Sequence, residues 1–95
     1  MAIVKKDIND TKIRCLIKST NLLETIYDTS NKKLLITFNS GRHYEYQNVD
    51  PKVYSGLEVS ESQGQYFHKY IKGLPSVRLA DVDPYGLLVE LNPKQ

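Results

Sequence analysis

Alternation of apolar and polar residues predicts strands in the first half of the chain. Residues 13–17, 23–27 and 34–38 each repeat with a period of two, as a strand with one buried face does. A turn at residues 39–41 contains Gly41, which adopts a positive φ without steric cost. A further strand is expected at residues 42–46. These segments together predict an antiparallel meander.

Helical spacing follows in the second half. Asp50-Pro51 is a typical helix start, because Asp accepts hydrogen bonds from the first free amides and Pro favours the first helical position. A second helix is expected over residues 64–72, where Phe67 and Ile71 are one turn apart. Gly73 fits the left-handed position that ends a helix. Both helices would cover the sheet.

The C-terminal segment predicts one more hairpin. Val77 and Leu79 lead to Asp83-Pro84-Tyr85-Gly86, a sequence typical of a turn, and the apolar residues 87–91 would form a last strand. The expected fold class is therefore α+β: a small antiparallel meander packed against one or two helices on one face, with extra strands from the N- and C-terminal extensions. Open sheet edges would be natural sites for homo-oligomer formation.

Length and composition place these elements in one domain spanning residues 1–95. The chain is 40% hydrophobic and 25% charged, which is ordinary for a globular domain. Its single cysteine, Cys15, allows no internal disulfide and favours a reducing, cytoplasmic location. No apolar run approaches the roughly 20 residues of a membrane helix, so no membrane association is expected.

Charge is distributed unevenly around a net value of +2. Residues 1–18 carry +3 and residues 64–72 carry +2, on either side of a mildly acidic middle. One interpretation is an ordinary solvated surface. The other is that the two basic segments meet and form a patch that faces an anion.

The residues with catalytic potential do not form a recognisable set. A nucleophilic pair of Cys15 with a histidine is conceivable, but Cys15 lies on an apolar strand face, where a buried inert thiol is more common. One cysteine with His43 and His68 is a poor start for a zinc site. Asp81 and Asp83 fit a solvated turn better than a cation site. No enzymatic activity, cofactor or metal is predicted.

The aromatic residues are more informative. Tyr44 and Tyr46 lie two apart on one strand, next to Arg42, and such a face can stack successive bases while the guanidinium pairs with phosphate. The same spacing also fits a core-facing strand. The expected nucleic-acid-binding residues are Arg42, Tyr44, Tyr46, His68, Lys69 and Lys72. Ser62 and Gly64, at a helix start, would either bind an anion or simply cap the helix.

An ordered series of short motifs spans residues 19–73. It consists of Ser19-Thr20-Asn21, Ile26-Tyr27-Asp28, the run 34–38, Gly41-Arg42-His43-Tyr44-Glu45-Tyr46, the run 49–57 and Ser62-Gln63-Gly64-Gln65-Tyr66-Phe67 with Ile71. This series resembles the KTSC domain, a family named for its occurrence at the C-terminus of some lysyl-tRNA synthetases. His68 stands where such domains usually have Asn. Residues 1–18 and 74–95 are extensions outside the resemblance.

Three functions remain open from the sequence. The resemblance and the tyrosines favour a small non-catalytic module that binds RNA. The alternative is a protein-interaction module, for example a bacterial-virus protein that modulates a host protein through edge strands. A third is capture of a small anionic ligand or nucleotide at Ser62 and Gly64. The RNA hypothesis further assumes that the tyrosine face of the sheet lies in water, opposite the helices.

Overall fold

Six strands form one antiparallel sheet in which each strand pairs with the next along the chain. The computed structural model describes residues 3–91. The strands are β1 (Ile3–Asn9), β2 (Lys12–Ile17), β3 (Leu22–Asp28), β4 (Lys33–Phe38), β5 (His43–Tyr46) and β6 (Ser76–Leu79). The predicted α+β class and antiparallel meander are confirmed.

Three helical segments pack against this sheet. They are α1 (Pro51–Val59), α2 (Gln63–Tyr66), which continues directly into a π-helical turn (Phe67–Ile71), and α3 (Tyr85–Leu91). Asp50 caps α1 as predicted, since its carboxylate accepts a hydrogen bond from the Lys52 amide at 2.9 Å. Among residues 3–91, no helix is long and apolar enough to cross a membrane.

The core lies between one face of the sheet and the first two helical segments. Alternating residues of β2, β3, β4 and β5 meet the apolar sides of α1 and the π turn. Tyr27 of β3 and Tyr54 of α1 stack with ring centroids 4.4 Å apart, and the Tyr27 hydroxyl donates to the Val49 carbonyl at 2.7 Å. The core residues that are no more than 1% exposed are Cys15, Ile17, Leu22, Tyr27, Leu34, Ile36, Val49, Leu57 and Ile71.

The third helix lies on the opposite face, which corrects the prediction of a last strand at residues 87–91. Arg14 alternates with the core residue Cys15 and therefore points away from α1, and it donates to Glu90 of α3 at 3.0 Å. The Asp83-Pro84 pair begins a helix instead of closing a hairpin, because the Asp83 carboxylate accepts the Tyr85 amide at 3.0 Å. Helices thus cover both faces, and the predicted one-sided cover is wrong.

The terminal extensions contribute to both sheet edges. β1 pairs with β2 from Ile3 to Asn9, and β6 pairs with β5, as expected of extra strands from the extensions. The outer edges of β1 and β6 have no partner strand within the described residues. Residues 1–2 and 92–95 of the predicted extensions lie outside the part of the chain that is described. Association of copies through these edges stays a prediction.

Candidate nucleic-acid interface

A close helix–helix contact sets the position of α2. The Ser62 hydroxyl caps this segment by accepting a hydrogen bond from the Gln65 amide at 3.2 Å. Tyr66 then lies directly over Gly56 of α1, and a Cβ added at Gly56 would stand 2.1 Å from the Tyr66 hydroxyl. Only a residue without a side chain leaves room for the Tyr66 ring at this position.

The π turn that follows orients the basic side chains. The Lys72 amide donates to the Phe67 carbonyl at 2.9 Å, five residues back, so the turn is wider than an α-helical one. Phe67 and Ile71 are buried against the sheet, while His68 and Lys72 are exposed. The wide turn therefore keeps two apolar anchors inside and presents the two polar side chains together.

A cavity of about 660 Å³ lies where the π turn meets β5. We call it the tyrosine cavity. Five of the six predicted nucleic-acid-binding residues line it. They are Arg42, Tyr44, Tyr46, His68 and Lys72. Phe38 and Phe67 also contribute to the lining, together with the polar residues Thr20, Asn21, Asn39, Ser40 and Ser76.

The two tyrosines differ in exposure, and both lie on the helix-covered face. Cross-strand pairing places Tyr44 opposite Ile36 and Tyr46 opposite Leu34, so these side chains share the core face. Tyr46 is 5% exposed, and its ring meets that of Phe67 edge-on at 5.5 Å. Burial raises the pKa of Tyr46 above its usual value. The assumption that this aromatic face lies in water opposite the helices is therefore wrong.

Tyr44 is only partly buried and is the tyrosine that remains accessible at the cavity. Its ring centroid lies 5.9 Å from that of Phe38 and 6.1 Å from that of Tyr46. Arg42 is exposed and lies directly before β5. Its backbone amide donates a hydrogen bond to the Ser40 hydroxyl at 3.4 Å. The cavity thus combines one available aromatic face with a neighbouring guanidinium.

A second cavity of about 340 Å³ adjoins the tyrosine cavity, because Thr20, Asn21 and His68 line both. Ser62 and Gly64, the predicted anion-binding residues, lie along it, although the Ser62 hydroxyl already caps the helix. Lys18 and Gln63 also line this cavity, although neither is among the predicted site residues.

Gln63 is 1% exposed, and only one of the two polar atoms of its side-chain amide forms hydrogen bonds. Its amide nitrogen donates to the Ser60 carbonyl at 3.0 Å and to the Leu57 carbonyl at 3.3 Å. Its Oε1 has no hydrogen-bond partner among the described residues. A buried acceptor without a donor is unusual in a folded protein. Its burial followed from the tertiary contact between α1 and α2, which no local pattern indicates.

A third cavity, of about 420 Å³, shares Glu61, Ser62 and Gln65 with the second. Lys69, the sixth predicted binding residue, lines this cavity and not the tyrosine cavity. The rings of Tyr66 and Tyr70 are 4.6 Å apart here, and the Lys69 ammonium lies 5.4 Å from the centre of the Tyr70 ring. An aromatic pair with a cation beside it is thus present at a second place on the surface.

The basic N-terminal segment does not join these cavities as a patch. Lys6 pairs with Glu58 at 2.9 Å, and Lys5 pairs with Glu90 at 3.6 Å. Arg14 pairs with both Glu24 and Glu90, and these hydrogen bonds raise its pKa further. Lys18, at the end of the segment, is the residue of this stretch that lines the second cavity. The alternative of two merging basic segments is therefore wrong for Lys5, Lys6 and Arg14.

The residues considered for catalysis are widely separated. Cys15 is fully buried with its sulfur 3.5 Å from the Tyr54 hydroxyl, and burial raises the pKa of its thiol. His43 lies on the other face of the sheet, where its Nδ1 hydrogen-bonds the Thr37 hydroxyl at 2.9 Å. Arg78 pairs with Asp81 at 3.1 Å. Within residues 3–91 there is no cluster of three His, Cys, Asp or Glu side chains that would hold a metal.

Comparison with known sequences finds relatives of two kinds. The chain is 45% identical over 47 residues to a lysine–tRNA ligase of Nostoc punctiforme (strain ATCC 29133 / PCC 73102). This alignment covers 50% of the chain and 8% of the ligase. An uncharacterized protein of Stutzerimonas stutzeri (strain A1501) is 32% identical over 59 residues, covering 62% of this chain and 83% of that protein. The chain thus spans about 8% of the length of the ligase it matches.

A solved structure and a family model agree on the central part of the chain. The crystal structure of a KTSC domain protein from Yersinia pestis superimposes with a TM-score of 0.67 at 26% identity, covering 70% of this chain and 96% of that one. The model of the KTSC domain matches residues 18–74. The match includes β3, β4, β5, α1, α2 and the π turn, and it leaves out β1, β2, β6 and α3. The chain therefore belongs to the KTSC domain family.

Proposed function

We propose that this protein is a non-catalytic domain that binds single-stranded RNA at the tyrosine cavity. An unpaired base stacks on the accessible face of Tyr44, and Arg42 and Lys72 pair with the phosphates on either side of it. The single observation that carries the proposal is the convergence of five of the six predicted residues on one cavity of about 660 Å³.

The charge around the cavity supports an anionic ligand. No Asp or Glu lines the tyrosine cavity, and neither Arg42 nor Lys72 forms an ion pair with any residue of the range 3–91. A cation without a protein carboxylate is available to a phosphate at no cost of breaking an existing pair. The surrounding hydroxyl and amide side chains supply donors and acceptors for base edges and the ribose 2′-hydroxyl.

The relatives add context for the choice of RNA. Three of the similar proteins are named lysine–tRNA ligases, and the matched region is a small part of each. A domain of this family therefore occurs within proteins whose names include an RNA. This association supports RNA as the first ligand to test, while the cavity supplies the physical argument.

Titration of fluorescent single-stranded RNA at low salt tests the proposal. We expect saturable binding whose logarithm falls linearly with the logarithm of salt concentration, with a slope of about 0.7 for each phosphate contacted. Tyr44→Leu keeps an apolar side chain against Phe38 and removes the stacking ring, and it should weaken binding by about 1–3 kcal/mol. Urea unfolding of the variant separates lost stacking from lost stability.

A matched pair of charge variants provides the control. Arg42→Gln and Lys12→Gln each remove one exposed positive charge, the first at the cavity and the second at the start of β2. Only Arg42→Gln should weaken binding and lower the salt slope. Flat titrations into high micromolar protein, or equal losses in the two variants, would contradict the proposal.

A second candidate function is protein interaction through the elements outside the family match. Val4 and Ile8 of β1 are 53% and 67% exposed, and Leu88 and Val89 of α3 are also exposed. Exposed apolar side chains near an open strand edge favour pairing with another chain. A pull-down from bacterial lysate with the wild-type protein and an Ile8→Ser variant tests this. A stoichiometric protein lost with Ile8→Ser would support interaction, and recovery of RNA alone would count against it.

A further inference from the structure

The three cavities form one continuous track around α2. The tyrosine cavity and the second cavity share Thr20, Asn21 and His68. The second and third cavities share Glu61, Ser62 and Gln65. The tyrosine cavity therefore adjoins the second cavity at His68, and the second adjoins the third at Gln65.

The far end of the track repeats the chemistry of its beginning. Tyr70 is 48% exposed and lies with its ring centroid 4.6 Å from that of Tyr66. Lys69 lies over the Tyr70 ring, as a cation does beside an aromatic stacking site. The Tyr66 ring packs against Gly56 of α1. Both ends of the track thus offer a positioned tyrosine with a basic side chain beside it.

A basic side chain lines each of the three cavities, and Glu61 also lines the second and the third. Arg42 and Lys72 line its first part, Lys18 its middle and Lys69 its end, whereas Glu61 is the one acidic residue that lines any of the three cavities within residues 3–91. None of the four basic residues pairs with a carboxylate of the described range. A path of unpaired cations with an aromatic site at each end matches a chain of phosphates that carries bases at intervals.

From this continuity we infer that the bound strand runs from the tyrosine cavity, past His68, to the Tyr66–Tyr70 pair. The ligand is then an unpaired segment of at least three nucleotides, one for each cavity, and neither a single nucleotide nor a duplex. A duplex cannot serve both ends, because its bases are already stacked and paired. The inference rests on the proposed function and adds the length and the path of the ligand.

Oligonucleotides of two lengths test the path. We compare a labelled dinucleotide and a labelled octanucleotide of uridine, binding to the wild-type protein and to Tyr70→Ala. Tyr70 is about half exposed and lies outside the buried core, so its removal should leave the fold unchanged. We expect Tyr70→Ala to weaken the octanucleotide roughly fivefold to a hundredfold and to leave the dinucleotide unaffected. Lys69→Gln should lower the salt slope for the octanucleotide alone.

Two further variants make the result specific. Tyr85→Ala removes a tyrosine that is 70% exposed on α3, on the other face of the sheet, and it should change neither affinity. Arg42→Gln should weaken both oligonucleotides. If Arg42→Gln weakens binding but Tyr70→Ala does not, the path is wrong and the proposed function stands. If Tyr70→Ala affects both lengths equally, the path is also overturned. If neither oligonucleotide binds, the proposed function itself fails.

Discussion

Two basic regions of the chain have opposite electrostatic surroundings. In the β1–β2 region, Lys5, Lys6 and Arg14 all pair with carboxylates. In the cavity region, Arg42 and Lys72 have no such partner within residues 3–91. Residues 1–18 carry +3 and residues 64–72 carry +2, yet it is Arg42 and Lys72 that line the tyrosine cavity without a carboxylate partner among residues 3–91. Local net charge therefore does not identify an anion-binding surface.

The reason is that pairing depends on contacts between distant parts of the chain. Lys6 and Glu58 are 52 residues apart, and Arg14 and Glu90 are 76 residues apart. These contacts exist only because α1 and α3 pack on opposite faces of the sheet. The pairs join α1 to β1, and α3 to both β1 and β2. The paired region therefore has a structural role, and the unpaired region is left for binding.

The largest expected difference between the two regions is in stability. Glu24 is 8% exposed and its carboxylate pairs with Arg14, so Arg14→Ala would leave a nearly buried charge without a partner. Breaking such a pair costs about 3 kcal/mol. We expect Arg14→Ala to lower the free energy of unfolding by about that amount, measured by urea denaturation.

The matched variant is Arg42→Ala. Arg42 is exposed. Truncation of an exposed side chain without partners usually changes the free energy of unfolding by less than about 0.5 kcal/mol. Stability losses of similar size in Arg14→Ala and Arg42→Ala would show that the two regions do not differ in the way described.

Much of the fold follows from local patterns in the sequence. The strands with one apolar face were predictable because a period of two is maintained over residues 13–17 and 34–38. The start of α3 was not predictable in this way, although Asp83-Pro84 repeats the Asp50-Pro51 pair that begins α1. Pro and Gly at residues 84 and 86 also fit a turn, and only packing against β2 and β3 decides for the helix.

The candidate site was predictable in its members but not in its geometry. Tyr44 and Tyr46 lie on one strand face as the spacing indicates, but which face is buried depends on where α1 and the π turn pack. The π turn brings His68 and Lys72 to the same cavity, and no sequence pattern specifies a π turn. The i, i+4 spacing of Tyr66 and Tyr70 predicts their contact, but their place at the third cavity depends on how the Tyr66 side chain packs against Gly56.

Close packing stabilises the cavity region, whereas ion pairs stabilise the β1–β2 region. The substitution Gly56→Ala tests the contribution of close packing. The new methyl group would overlap the Tyr66 side chain, and overpacking of this kind costs about 1–3 kcal/mol. In a Tyr66→Ala background the overlap is absent, so the same change should stabilise by about 0.5–1 kcal/mol through helix propensity. Urea unfolding of the four proteins measures this reversal, and additive effects would contradict the proposed contact.

A smaller effect should distinguish the lysines of the two regions in RNA binding. Lys72→Gln removes a cation that lines the tyrosine cavity, whereas Lys5→Gln removes one that already pairs with Glu90. Both variants have the same net charge. We expect Lys72→Gln alone to lower the slope of log affinity against log salt by about 0.7. Equal slopes in the two variants would mean that net charge, and not pairing, governs binding.

The smallest expected effect is on the acid sensitivity of the β1–β2 region. A hydrogen bond from Arg14 lowers the pKa of Glu90 below its ordinary value, and nearby Lys5 adds to this. Because the folded pKa is the lower one, the carboxylate contributes stability above the ordinary pKa of about 4.3, and this contribution is lost as the pH falls through the folded value. Glu90→Gln should therefore lower the thermal midpoint at neutral pH, and the difference from wild type should shrink as the pH falls below about 4. Since Glu90 is exposed, high salt should reduce the difference at neutral pH as well. A difference that stays constant from neutral to acidic pH would show that the Arg14–Glu90 pair does not stabilise this region.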